Sequence, residues 1–264
     1  MKPLRGPGMA ILVLALLVFT PIVHSKTSGN QEFYQLKVYN FSTKAQEDQI
    51  DKYLKDSYLP GLYRTGIKTI GVFKPVIGQE DHGKKIYVLI PFKSMEQIAE
   101  LSAKLEKDQK YIESGKAYID APFNSPPYDR IESTIMKAFM DMPVLKVPDH
   151  PTPPSERIYE LRSYESATEK LHVKKVHMFN QGGEIKLFEK LNFNAVFYGE
   201  VISGSSMPNL IYMTTFPSKA TRDEYWGIFR IDPEWEVMKE LEEYRNTVSK
   251  NITLFLYPTD YSDI

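Results

Sequence analysis

Tyr34-Gln-Leu-Lys-Val-Tyr39 and, at an offset of 125, Tyr159-Glu-Leu-Arg-Ser-Tyr164 are the same short phrase written twice. Both alternate and are rich in aromatic and aliphatic residues, as a strand requires. At the same offset Val76-Ile77 falls on Val201-Ile202 and Ile86-Tyr87 on Ile211-Tyr212, while Asp108-Gln-Lys-Tyr111 meets Asp232-Pro-Glu-Trp235 at 124. A single match could be chance, but four at nearly constant spacing mark an internal repeat. The chain therefore reads as two copies of one unit.

Between the copies, Pro143 to Pro154 carries five prolines in twelve positions. Proline removes amide donors and biases its predecessor to extended backbone, so residues 143–156 read as a stiff connector. It separates a first unit at 26–142 from a second at 157–264.

Within the first unit, strands are predicted near 33–40, 67–77, 85–92 and 130–138, and in the second near 157–165, 194–202, 209–216 and 250–257. Helical patterns lie between them. Ser42 to Leu59 carries Ile50, Leu54 and Tyr58 at a spacing of four, and Pro60-Gly61 is expected to end it. Ser94, a suitable cap, precedes a helix bearing Ile98, Leu101 and Leu105 on one face. In the second unit Ser166-Ala-Thr-Glu169 has capping-box spacing, and Gly182-Gly183 interrupts the helix that follows. Short turns, 62–65 and 184–191, are expected before each second strand. The fold class is thus α+β, with two tandem ferredoxin-like βαββαβ units. One sheet face in each unit is too apolar to leave in water, so the two sheets are expected to pack face to face and enclose a space.

Composition agrees with a globular chain: 264 residues, 42% hydrophobic, 25% charged, no Cys. With 33 Lys and Arg against 34 Asp and Glu, no basic excess points to nucleic acid. Disulfides and thiol chemistry are excluded by composition. Lys2 and Arg5 precede an apolar run from Met9 to Val23, with Val23 and Ser25 at the −3 and −1 positions. That is the pattern of an export signal over residues 1–25 cleaved after Ser25, leading to the periplasm or outside the cell, and the run is short for a membrane span.

Arg157-Ile-Tyr-Glu-Leu-Arg-Ser-Tyr164, Asn194-Ala-Val-Phe-Tyr-Gly199 and Asp232-Pro-Glu-Trp235 after Tyr225-Trp226 resemble the NIPSNAP family. The resemblance is specific over about 157–257 and weaker, in the same order, over 33–138. It implies the dimeric α/β-barrel arrangement, here with both copies in one polypeptide. That arrangement also hosts monooxygenases and isomerases, and the resemblance supplies no catalytic residues to carry over.

Candidate site residues come from the sequence itself. Tyr39 and Tyr164 recur on the first strands, where a phenol can both stack on a ligand and hydrogen-bond it. His172 and His177 are five apart on a helix, about 140° around its axis, which is wrong for shared chelation. His177 lies beside a buried stripe and is expected to point toward the space between the sheets. Tyr225, Trp226, Phe229 and Trp235 form the densest aromatic patch, with Asp232 as a helix cap and Arg230 at a pocket rim, suited to an anionic or planar ligand. His82 reads as part of a hairpin loop and His150 as solvated.

No metal motif, phosphate loop or nucleophile elbow is present, and no cofactor is indicated. The expected function is binding of a small apolar or aromatic molecule between sheet and helices. A cofactor-independent monooxygenase or isomerase, or an interaction module without a ligand, are the alternatives. A homo-oligomer is compatible with all three.

Overall fold

The computed structural model describes residues 31–264, and the export signal assigned to 1–25 lies outside the described residues. The first half contributes strands β1 Phe33–Asn40, β2 Gly71–Pro75, β3 Lys85–Phe92 and β4 Arg130–Ala138. The second contributes β5 Ile158–Glu165, β6 Asn194–Ser203, β7 Asn209–Phe216 and β8 Lys250–Pro258. Each half is a βαββαβ unit in which the first strand pairs with the third and fourth, antiparallel throughout.

The helices are α1 Lys44–Tyr53, α2 Leu59–Arg64, α3 Met95–Leu105 and α4 Gln109–Ile119, then α5 Glu169–Phe179, α6 Glu184–Lys190, α7 Lys219–Ile231 and α8 Pro233–Glu240. Ser94 caps α3 and Asp232 caps α8, as their residue types suggest. Three local expectations are corrected. Pro60-Gly61 does not stop the first helix, which passes through a π turn at Leu54–Tyr58 into α2. There the Leu59 amide donates to the Leu54 carbonyl, and the wide turn makes room for the Pro60 ring. Thr168, not Ser166, caps α5 by accepting from the Leu171 amide, since the helix begins only at Glu169; the Ser166 hydroxyl donates instead to the Thr247 carbonyl at 2.7 Å. Residues 184–190 form α6 rather than a turn, started by Gly183 in the left-handed region at φ 94°.

Strand order around the sheet is β1-β3-β2-β8-β5-β7-β6-β4, closed into a barrel. The second strand of each half pairs with the fourth strand of the other, β2 with β8 and β6 with β4. The two sheets face each other as expected, and because their edges also join, the space between them is the barrel interior, filled by side chains rather than an open chamber. The sheets meet edge to edge, which satisfies the backbone groups that four open edges would expose. Eight strands leave an interior that side chains can fill, and here they do. Tyr34, Leu36 and Val38 of β1 meet Tyr159 and Leu161 of β5, with Phe73, Met136, Phe197 and Met213 around them. At the β4–β6 seam Gly199 lies opposite Ala138, and a side chain at that position would start 2.9 Å from the Met136 Cβ. Two further cores lie outside the barrel wall, each between one half's strands and its helices.

Candidate functional site: a cationic aromatic pocket in the second half

Alternation along β5 turns Tyr159 and Leu161 into the barrel and Glu160, Arg162 and Tyr164 toward the helices. A central strand with two buried charges on one face must find partners for them. Glu160 is fully buried and accepts from Arg162 Nη1 at 2.9 Å, Arg222 Nε at 2.8 Å, Arg222 Nη2, and Trp226 Nε1 at 2.8 Å. Arg222, Trp226 and Arg230 are spaced by four, so α7 presents all three on one side. From α5, Lys175 Nζ donates to Glu184 Oε2 at 2.8 Å, both side chains being buried.

These elements surround a cavity of about 550 Å³. Tyr164, Trp226, Phe229 and Trp235 give it aromatic walls, and Asn251 and Thr253 of β8 also line it. Arg162, Lys175, Arg222 and Arg230 face two carboxylates, Glu160 and Glu184, and Asp223 answers Arg222 from outside at 3.0 Å, so the cluster keeps a net charge of about +1. The Arg162 guanidinium lies 4.3 Å from the Trp226 ring centre, a cation–π contact that holds its plane. Its Nε is buried without an acceptor. The Tyr164 and Tyr212 hydroxyls are 2.9 Å apart, and burial pushes the Tyr164 phenol up to about 12, so it remains protonated at neutral pH.

Of the residues singled out from sequence, Tyr164, Trp226 and Arg230 come together here, with Arg230 exposed at the rim. Tyr39 does not. It belongs to the first half's sheet–helix core, edge-on to Tyr128 at 6.3 Å. The residues that face the space between the two sheets are instead Tyr34 and Tyr159, five positions earlier on the same strands. His177 is also corrected: its Nδ1 lies 2.8 Å from the Tyr244 hydroxyl, beyond the barrel wall and outside the cavity lining. His172 faces Glu200 at 3.3 Å, so the two histidines serve separate partners. His82 Nδ1 meets the Pro75 carbonyl at 2.9 Å. His150 is not solvated: it is half-buried beside Asn194, and burial, helped by nearby Arg157, holds its pKa below the usual histidine range.

Glu160, Arg162, Lys175, Glu184 and Arg222 were not singled out from sequence. The available signal was Glu160 and Arg162 two apart in an otherwise apolar strand, which forces both onto one face. Their partner Arg222 is 62 positions from Glu160, beyond any local pattern.

In the first half, Lys37 stands where the repeat places Arg162. Its ammonium lies 4.7 Å from the Tyr58 ring centre and 5.3 Å from that of Tyr39, with no carboxylate partner among the described residues. Tyrosines fill the surrounding space, Tyr53 and Tyr118 stacking at 3.6 Å. Burial pulls the Lys37 pKa down to about 8. The unfolded chain keeps this proton until about pH 10.4, so between those values the unfolded state binds more protons and stability rises with pH. Lys37→Met is expected to be more stable than the parent at neutral pH and to lose that rise. Urea unfolding at neutral pH and at about pH 10 checks this, and an equal pH response in both proteins would refute it.

Among the described residues, no group of three or more His, Asp or Glu could hold a metal ion, and no helix is long and apolar enough to cross a membrane.

The fold has counterparts among solved structures. A candidate monooxygenase from Lactobacillus acidophilus NCFM is 11% identical, with a TM-score of 0.57 over 86% of this chain and 94% of that one. A candidate monooxygenase from Fusobacterium nucleatum is 5% identical, with a TM-score of 0.57 over 87% and 93%. A NIPSNAP family protein from Agrobacterium tumefaciens is 21% identical over 46% of this chain and 98% of that one, with a TM-score of 0.36. At these identities the first two describe architecture alone, the dimeric α/β barrel. No curated protein sequence matches the chain. The NIPSNAP family model matches residues 159–263, so the stretch that builds the cationic pocket is the part of this chain that is similar to the NIPSNAP family.

Proposed function

We propose that this protein, exported by its N-terminal signal, binds a small aromatic molecule in the pocket between the second half's sheet and its helices. The observation that carries the reading is a cavity of about 550 Å³ walled by Tyr164, Trp226, Phe229 and Trp235, within the usual size range of ligand sites. The barrel interior is the alternative location, and it is occupied by its own side chains.

Binding is favoured over monooxygenase or isomerase chemistry because the pocket offers no free base. Lys175 and Glu184 neutralise each other, Glu160 is held by two guanidinium groups and an indole, and Tyr164 keeps its proton.

The chain's two tryptophans both line the cavity, so indole emission reports on it directly. A panel of haem, quinones and aromatic acids is expected to include ligands that change this emission and raise the melting temperature. At a hundred times the Kd a ligand adds about 2.7 kcal/mol, which for a chain of this size is a rise of roughly 5–10 °C. Unchanged emission and melting temperature across the whole panel would defeat the proposal.

A further inference from the structure

The pocket's charges are unevenly answered. Arg162 and Arg222 share Glu160, and Lys175 has Glu184, whereas Arg230 has neither an ion pair nor a hydrogen bond among the described residues. Behind the cavity wall, the Nε–H of Arg162 is buried and lacks an acceptor. A positively charged mouth calls for negative charge with accepting oxygens. Beside them lie the flat walls of Trp226 and Trp235, which suit a planar ring system.

We infer that the pocket selects aromatic carboxylic acids as their anions, the ring system lying along the two indoles and the carboxylate directed to Arg230. A carboxylate suits the site better than a phosphate group. Its single charge and two oxygens match the one unpaired guanidinium, that of Arg230, as a bidentate pair. The inference rests on the aromatic-pocket reading above and adds the sign of the ligand's charge.

Matched pairs separate the two ideas. Calorimetric titration of the full chain with 2-naphthoate against 2-naphthamide, and anthraquinone-2-carboxylate against its amide, should give affinities about tenfold tighter for the acids, the scale of one charge-assisted hydrogen bond. Arg230→Gln should weaken the acids several-fold more than the amides and so erase most of that preference, and Arg230→Lys should keep part of it. Arg230 is exposed and outside every ion pair described, so both variants should fold with the parent's melting temperature. Equal binding of acid and amide would overturn the charge selection and leave the aromatic pocket standing, as would an Arg230→Gln loss shared equally by both. Failure of every acid and amide while a neutral quinone still binds would also remove this inference alone. Failure of all ligands would remove the pocket reading with it.

Discussion

Replacing Glu160 by Gln is expected to lower folding stability by about 3–5 kcal/mol, the range seen when one member of a buried ion cluster is removed. The carboxylate is fully buried and takes four hydrogen bonds from three side chains. Glutamine keeps the shape and one accepting oxygen but leaves the guanidinium groups of Arg162 and Arg222 facing each other without a counter-charge. Asp223 still answers Arg222 from outside, at 3.0 Å, so the heavier loss falls on Arg162. Urea unfolding measures the effect. The double variant Glu160→Gln with Arg222→Gln should lose less than the sum of the single losses, because the second change removes a charge that the first had stranded. A loss below about 1 kcal/mol for the single variant would show that water reaches the cluster, contrary to its burial.

Phe197→Ala should cost a similar amount, about 3–5 kcal/mol, by a different route. Phe197 points from β6 into the barrel, where its ring meets Tyr34 of β1 at 5.2 Å. The residue thus belongs to the second half and packs against the first. Truncation leaves a cavity in a core that both halves share, and neither can keep its inner face dry without the other. The melting transition should therefore move as a whole. Indole emission, which comes only from the second half, and far-UV circular dichroism, which reports both, should shift together. Two separated transitions would mean that the halves fold independently and that the shared core contributes little.

Much of this architecture was legible in the residues. All eight strands were marked by alternation or by β-branched and aromatic runs, and the match between Tyr34–Tyr39 and Tyr159–Tyr164 exposed the duplication. Trp226 and Arg230 stood out because aromatic density around an arginine is visible along the chain. What stayed hidden was long-range. The link between Glu160 and Arg222 joins a strand to a helix through the folded topology, and Lys175 acquires its meaning from Glu184 across a break between two helices. Helix punctuation also misled where context intervened: Pro60 was accommodated by a widened turn, and the helix after Ser166 began only at Glu169, leaving that serine's hydroxyl to a carbonyl 81 residues away.

By itself the sequence determined a duplicated βαββαβ unit, because strand and helix periodicities are local properties of the chain. It also divided each strand's residues into two sets, since side chains alternate strictly. Which set faced which core was decided only when the strands closed. Tyr34 and Tyr159 went into the barrel and Tyr39 and Tyr164 outward, because pairing β2 with β8 and β4 with β6 left one interior, just large enough to fill. The cationic pocket arose on the outer layer of the second half, where Arg162 and its partners stand in the place that Lys37 and a stack of tyrosines fill in the first.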